Sequence, residues 1–155
     1  MKKIIRIKQL EKIENNKKIV VVGGCFDILH LAHVIFLEKA KKQGELLIVL
    51  LESDKNIRKL KGKDRPINSQ RNRAEILVNL KMVDWVVKLP EMKKNEDYIN
   101  VLKKIKPAVI AVSEGDKNIE IKKREAKMIG AKLVRATRTI PFWSSTKMIE
   151  IMNEI

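Results

Sequence analysis

Two histidines three residues apart, His30 and His33, are the side chains of this sequence best suited to chemistry on phosphate. They follow an apolar run and the glycine pair Gly23–Gly24, a pattern that indicates a buried strand, a tight loop and the start of a helix. Residues at i and i+3 project from one helix face, so both imidazoles are expected to reach the same small volume. Free backbone N–H groups and the positive end of the helix dipole point into that volume, which is typical of a site for a phosphate chain.

The same pair of histidines can instead be structural, or it can form half of a zinc site. The sequence contains two histidines in all and one cysteine, Cys25, so the usual set of zinc ligands is incomplete. We expect Cys25 to contribute its backbone rather than its thiol, because it falls within the turn itself. The pattern therefore favours phosphate binding and predicts no metal site made by the protein alone.

The segment GCFDILHLAH, residues 24–33, resembles the GCFDxLHxGH signature of the cytidylyltransferase-like nucleotidyltransferases. The resemblance implies an enzyme that transfers a nucleoside monophosphate unit from a Mg²⁺-bound nucleoside triphosphate to a phosphorylated small molecule and releases pyrophosphate. Both histidines are then catalytic. Contacts to the nucleotide are implied for Gly24, Cys25, Phe26, His30, Leu31, Ala32 and His33.

One position departs from this signature, because Ala32 stands where the family has glycine. A methyl group there narrows the space left for the nucleotide. The alternative hypothesis is therefore a protein that descends from such enzymes and binds nucleotide or nucleic acid without efficient catalysis.

Two basic segments extend the resemblance. Residues 65–87, RPINSQRNRAEILVNLKMVDWVV, align without gaps with the RPVN, EQR and VDWVV segments of the heptose 1-phosphate adenylyltransferases. By this resemblance, Arg73 is implied to contact a phosphate or the nucleotide. RKLKG resembles the basic loop that family members use on the acceptor phosphate. That implies acceptor contacts from Lys59 and Lys61 and a catalytic role for Lys61, whereas the alternative is an ordinary solvated loop.

Two later segments also match. Asp116 in SEGDKN occupies the place of the family aspartate that contacts the nucleotide, although it could equally be a turn or cap residue. PFWSSTKMI resembles the SSTKII of archaeal FAD synthetases, and hydroxyl groups at a helix start can bind phosphate oxygens or cap the helix. These phosphate contacts are Ser144, Ser145 and Thr146, and the neighbouring Phe142 and Trp143 either border the acceptor pocket or belong to the core.

Hydrophobic periodicity predicts a single α/β domain over residues 1–155, with a leading helix in 1–17 and a catalytic core in 18–155. Strands and helices alternate five times, which predicts a Rossmann-like, doubly wound sheet of five parallel strands with helices on both faces. Ligands of such sheets bind beyond the carboxyl ends of the strands. The predicted strands cover residues 19–22, 46–52, 84–89, 108–112 and 132–136.

The formal net charge of +15 is the electrostatic footprint of a protein with anionic partners. The basic residues are spread along the chain and are not interleaved with aromatic residues, which disfavours nucleic acid as a partner. A single cysteine and the lack of a long apolar stretch predict a cytoplasmic protein that does not enter a membrane. By resemblance, ATP is the preferred donor, a homodimer is expected, and FAD synthetase and a CTP-dependent glycerol-phosphate-type cytidylyltransferase remain alternatives.

Overall fold

A computed structural model describes residues 3–138 and 143–155, so the prediction for Phe142 lies outside the described residues. Within these ranges, six parallel strands form one sheet in the order β1-β4-β3-β2-β5-β6. The strands are β1 (Ile4–Arg6), β2 (Ile19–Gly24), β3 (Leu46–Leu51), β4 (Trp85–Lys88), β5 (Val109–Ser113) and β6 (Lys132–Thr137).

Helices connect the strands, and several begin at a serine whose side chain accepts a hydrogen bond from a backbone N–H of the first turn. None of the described helices is long and apolar enough to cross a membrane. A 3₁₀ helix spans Ile7–Lys12, and the α-helices are α1 (Leu31–Lys41), α2 (Asp54–Lys61), α3 (Gln70–Val78), α4 (Asn95–Ile105), α5 (Ile119–Ile129) and α6 (Ser145–Asn153).

The sheet has six strands rather than five, because the first residues of the predicted leading helix form a strand instead. Ile4–Arg6 pairs in parallel with β4, and the N–H of Val86 donates to the carbonyl of Lys3. Only the short 3₁₀ helix that follows is helical. Pairing with the open edge of β4 supplies backbone hydrogen bonds and buries Ile5, which outweighs the weak helical spacing of this segment.

Helices cover both faces of the sheet, as expected for a doubly wound fold. On one face, α1 and α3 bury Leu37 and Leu77 against Val20 and other strand residues. On the opposite face, α4 and α5 pack against strand residues that include Val21. The strands alternate between the two clusters because successive side chains of a strand point to opposite faces.

Strand β2 lies at the centre of the sheet, between β3 and β5. From β2 the chain moves outward through β3 and β4, and it then returns to the other side of β2 to form β5 and β6. Loops leaving β2 and β5 therefore diverge at their carboxyl ends and open a crevice there. This crevice is where the sequence predicts the ligand site.

Candidate active site

A cavity of about 340 Å³ lies at the carboxyl ends of β2, β5 and β6. We call it the histidine cavity, because both histidines line it. The structure brings most of the predicted site residues together in its wall. These are Gly24, Cys25, Phe26, His30, Ala32, His33, Lys61, Asp116, Ser144, Ser145 and Thr146.

The two imidazoles stack on each other, with ring centroids 3.8 Å apart and an angle of 19° between the ring planes. The backbone N–H of His30 donates to Nδ1 of His33 at 3.3 Å, which is part of the cap at the start of α1. When His33 is neutral, its proton therefore lies on Nε2, which is left as a hydrogen-bond donor. The cap thus selects the tautomer suited to an anionic ligand.

Burial sets the protonation of both histidines in the ligand-free protein. Burial, together with the charges of His30 and Lys61, lowers the pKa of His33 to about 4, and burial lowers the pKa of His30. Among the described residues, no group forms a hydrogen bond with the buried Nδ1 of His30. A bound phosphate would supply that partner and would raise both pKa values.

The loop after β2 is held by residues that the sequence did not mark. Asp27 is buried and accepts hydrogen bonds from Nε of Arg65 at 2.8 Å and from the backbone N–H groups of Ile67 and Asn68 at 2.9 Å. Burial alone would raise the pKa of Asp27, but these hydrogen bonds hold it below its usual value. Asp27 and Arg65 both fall inside the motifs quoted above. The sequence does not show that these two side chains, 38 residues apart, pair with each other.

Phe26 turns this loop sharply, because its backbone has a φ of 46°. Its ring is buried and lies 5.2 Å from that of His33, measured between centroids. Phe26 therefore supports the imidazole of His33 through packing.

The start of α6 is attached to the same loop. Ser144 caps the helix by accepting from the N–H of Lys147 at 3.0 Å, and the hydroxyl of Ser145 donates to the carbonyl of Ile28 at 3.0 Å. Nη1 of Arg65 lies 3.5 Å from the hydroxyl of Thr146. The predicted helix cap is confirmed for Ser144, and all three hydroxyl groups line the cavity, where their contact with phosphate stays a prediction.

The two lysines predicted in a basic loop lie instead in the last turn of α2, which extends through Lys61. Lys61 lines the histidine cavity. Lys59 does not, and its ammonium group pairs with Glu91. Two positions separate the residues by about 200° around the helix, so they point in different directions. The structure therefore brings only Lys61 into the site.

Arg73 also takes a different position from the one expected of a ligand contact. Its side chain is fully buried, and its guanidinium donates to the carbonyls of Cys25, Glu52 and Asn68 and to the carboxylate of Asp54. Four of the five guanidinium N–H groups are used in this way and the side chain is fully buried, so Arg73 positions the loops around the site.

Leu31 also lies outside the wall of the histidine cavity. Its side chain is 51% exposed at the first position of α1.

Lining residues that the sequence did not single out include Lys122, Thr137 and Arg138. Nζ of Lys122 donates to the carboxylate of Asp116 at 2.5 Å. A lysine or arginine is not distinctive in a chain with 34 basic residues. Position in the chain could have indicated Thr137 and Arg138, because they follow the end of a predicted strand, where ligands of such sheets bind.

A second cavity, of about 310 Å³, lies on the other side of the end of β2. We call it the glutamate cavity, because Glu52 and Glu125 line it. The wall between the two cavities is formed by Gly23, Gly24 and Cys25, which line both, and Lys122 also reaches both. The two cavities therefore adjoin at the end of one strand.

The described residues contain no cluster of three or more His, Cys, Asp or Glu side chains that could hold a metal ion. In the described wall of the histidine cavity, Asp116 is the carboxylate, and the cations Lys61, Lys122 and Arg138 accompany it. Mg²⁺ commonly binds through substrate phosphates with one or two protein carboxylates. This donor set fits a divalent ion that is carried by a triphosphate.

Comparison with known proteins shows which family the chain resembles. The profile of a family described as cytidylyltransferase-like matches residues 21–151. The "Bifunctional protein HldE" of Helicobacter pylori is 40% identical over 92% of this chain, and that of Campylobacter fetus is 36% identical over 99%. The chain spans 29% and 31% of the length of these two relatives, respectively.

Two solved structures are similar in fold. A lipopolysaccharide core biosynthesis protein from Thermoplasma volcanium is 29% identical, with a TM-score of 0.64 over 80% of this chain and 97% of that one. A pantoate-beta-alanine ligase from Francisella tularensis is 20% identical, with a TM-score of 0.66 over 98% and 77%, and supports the Rossmann-like fold alone. The resemblance predicted from GCFDILHLAH is confirmed: the chain belongs to the cytidylyltransferase-like family of nucleotidyltransferases.

Proposed function

We propose that this chain transfers a nucleoside monophosphate unit, preferably from ATP, to a sugar phosphate and releases pyrophosphate. The observation that carries this proposal is the pair of cavities that share one thin wall, with His33 on one side of it. One cavity suits the triphosphate and the other suits the acceptor. The sugar phosphate is supported by the motifs shared with heptose 1-phosphate adenylyltransferases and by the similarity to a lipopolysaccharide core biosynthesis protein.

The triphosphate would occupy the histidine cavity. Nε2–H of His33, the ammonium group of Lys61 and the hydroxyl groups at the start of α6 are the donors available to its oxygens. An oxygen of the acceptor phosphate attacks the α-phosphorus, and the bond to the leaving pyrophosphate breaks in line with it. Little covalent chemistry is asked of the protein, so positioned donors that stabilise the developing negative charge dominate catalysis.

Mg²⁺ would enter with the triphosphate, with Asp116 as the described carboxylate of the cavity wall, and it would neutralise charge on the departing pyrophosphate. Asp116 can also accept hydrogen bonds from ribose hydroxyl groups. Lys122 already pairs with Asp116 and reaches the second cavity, so it can contact both reactants.

The test is pyrophosphate release with heptose 1-phosphate as acceptor and either MgATP or MgCTP as donor. We expect turnover with MgATP above that with MgCTP. His33→Ala should reduce turnover by about 10²-fold or more, because it removes a donor to the transition-state charge. Glu38→Ala, at an exposed position on the same helix, is the control, and it should retain wild-type turnover.

If pyrophosphate is released with MgCTP and not with MgATP, the donor is CTP rather than ATP. Unchanged turnover of His33→Ala would overturn the role assigned to this residue. If a sugar phosphate elicits no pyrophosphate with either nucleotide, the proposed acceptor class is wrong. Analytical ultracentrifugation of the same sample measures its molecular mass and tests whether the protein is the expected homodimer.

A further inference from the structure

The glutamate cavity contains a carboxylate for which the proposed reaction has no use. Glu125 lies on α5 with 8% of its surface exposed, and its side chain lines the cavity. Burial raises the pKa of its carboxyl group, while the nearby Lys122 acts in the opposite direction. No described residue forms a hydrogen bond with this carboxyl group. The carboxyl group therefore keeps acceptor capacity that a hydrogen-bond donor of a ligand in the cavity can use.

A second carboxylate, Glu52, is held rigidly in the wall of the same cavity. The hydroxyl of Tyr98 donates to its Oε1 at 2.6 Å, and Nδ2 of Asn56 donates to its Oε2 at 3.0 Å. A carboxylate has about four lone-pair sites, so two donors leave acceptor capacity on both oxygens. Glu52 therefore presents fixed acceptors to whatever fills the cavity.

Apolar side chains make up much of the remaining wall. They come from β2, β3 and β5 and from the helices on this face, and they include Leu60, Leu89, Leu102 and Ile121. A sugar combines hydroxyl edges, which donate to carboxylates, with C–H faces, which pack on leucine and isoleucine. The mixture of acceptors and apolar surface in this cavity matches such a ligand.

The charges also fix which way a phosphorylated sugar would lie. A phosphate group is repelled by Glu52 and Glu125 and attracted by Lys122, which lies where the two cavities meet. The phosphate would therefore point at the wall formed by Gly23, Gly24 and Cys25. The hydroxyl groups would be left to contact the two glutamates, of which Glu52 adjoins the wall through the hydrogen bond from its N–H to the carbonyl of Gly24.

A phosphorylated ligand with an ammonium group would also be attracted by two carboxylates. Quaternary ammonium ligands are typically held by several aromatic faces. In the described wall of this cavity, Tyr98 is the aromatic side chain, and its hydroxyl is committed to Glu52. The cavity thus favours a neutral polyol over a quaternary ammonium group.

We propose that Glu52 and Glu125 are specificity-determining residues that accept hydrogen bonds from hydroxyl groups of the polyol portion of the acceptor. Through these contacts, they orient the acceptor phosphate toward the shared glycine wall. This inference rests on the proposed function, which assigns the acceptor to the glutamate cavity.

Calorimetry tests the inference without requiring turnover. Heptose 1-phosphate is titrated into the full chain in the presence of Mg²⁺ and a non-hydrolysable ATP analogue, with inorganic phosphate and phosphocholine as comparison ligands. We expect Glu125→Gln and Glu52→Gln to raise the Kd for heptose 1-phosphate by about tenfold each, because each exchanges a charged acceptor for a neutral one. Glu120→Gln, an exposed position on the same helix, is the matched control and should leave it unchanged.

Every variant should bind the ATP analogue as the wild type does, which shows that its fold and its nucleotide site are intact. An unchanged Kd for heptose 1-phosphate in both glutamate variants would overturn the inference. So would tighter binding of phosphocholine than of heptose 1-phosphate, or binding of the ATP analogue with no binding of the sugar phosphate.

Failure of the proposed function gives a different pattern. If both glutamate variants lose affinity for heptose 1-phosphate but the wild type releases no pyrophosphate, the polyol site stands and the reaction is wrong. If pyrophosphate is released and the variants bind like the wild type, only the assignment of the two glutamates is wrong.

Discussion

His33 combines two features that a phosphate-binding histidine needs. Its Nδ1 is occupied by a backbone N–H from its own helix cap, so its free nitrogen is the donor. Its pKa of about 4 keeps it neutral until an anion arrives. The ligand-free site therefore avoids the repulsion that two stacked imidazolium ions, with centroids 3.8 Å apart, would cause.

The low pKa of His33 makes folding sensitive to acid. In the unfolded chain the imidazole takes up a proton near its ordinary pKa of 6.5, whereas in the folded protein it does so only near 4. Its contribution to stability is therefore complete above pH 6.5 and is lost as the pH falls toward 4, by at most about 3 kcal/mol. Urea unfolding at pH 7, 5.5 and 4 measures this loss.

His33→Asn is the control for this measurement, because an amide oxygen can still accept from the N–H of His30 but does not titrate. We expect the free energy of unfolding of the variant to fall less between pH 7 and pH 4 than that of the wild type. Equal slopes in the two proteins would show that the environment of His33 does not depress its pKa.

Two adjacent glycines in the wall differ sharply in the space around them. A Cβ on Gly23 would meet no described atom within 4 Å, whereas a Cβ on Gly24 would lie 2.8 Å from Cε2 of Phe26. We expect Gly23→Ala to keep the wild-type free energy of unfolding and to lose most turnover, because its methyl group projects toward ligand space. Gly24→Ala should unfold more easily, by about 1–3 kcal/mol.

Chemical unfolding and pyrophosphate release, measured on both glycine variants, separate the two effects. Wild-type turnover in Gly23→Ala would mean that no reactant passes close to this part of the wall.

At the scale of elements, buried side chains attach the loops around the site to one another. Asp27 and Arg65 join the loop after β2 to the segment before α3, and Ser145 joins the same loop to α6. Arg73, on α3, donates to both the loop after β2 and the loop after β3. The site is therefore positioned by contacts between loops as well as by the sheet.

Arg73→Met should destabilise the protein by about 3 kcal/mol, because it leaves Asp54 and several carbonyl groups without their donor. Arg71→Met, an exposed position on the same helix, is the control and should change the free energy of unfolding by less than about 0.5 kcal/mol. Denaturant unfolding measures both. If the free energy of unfolding of Arg73→Met falls by less than about 1 kcal/mol, the hydrogen bonds of Arg73 do not stabilise the fold as expected.

Elements with strong local signals were predictable from the sequence. The strand, glycine turn and helix around the histidines follow from periodicity and turn residues, and the hydroxyl groups at the start of α6 follow from their cap position. β1 was not predictable in this way, because a three-residue edge strand is defined by the partner that it pairs with. Similarly, the position of Lys59 depends on where α2 ends, which is the least predictable feature of a helix.

Within the site, a motif predicts that a residue is nearby but does not predict the direction of its side chain. Arg73 matches a family motif and is nevertheless turned inward, toward backbone carbonyls. Glu125 belongs to no motif and reaches a cavity because α5 packs beside the end of β2. Such placements come from tertiary packing, which local sequence patterns do not encode.

At the scale of the whole molecule, the net charge of +15 accompanies a site that we propose binds two anionic reactants. A field of this sign raises the rate at which anions reach the cavities, and dissolved salt screens it. We expect the association rate constant of MgATP, measured by stopped flow, to fall by about tenfold or more between 25 mM and 500 mM NaCl. A rate constant that does not depend on salt would mean that the surface charge has no part in substrate capture.

The thin wall between the cavities also has a consequence for inhibitor design. Because the end of one strand separates the two cavities, a single molecule could fill both if a short bridge crossed over Gly23 and Gly24. A nucleoside joined through a non-hydrolysable phosphate bridge to a polyol would have that shape. It would gain the affinity of two sites within one molecule. The bridge length that gives the tightest binding would measure the distance between the two bound reactants.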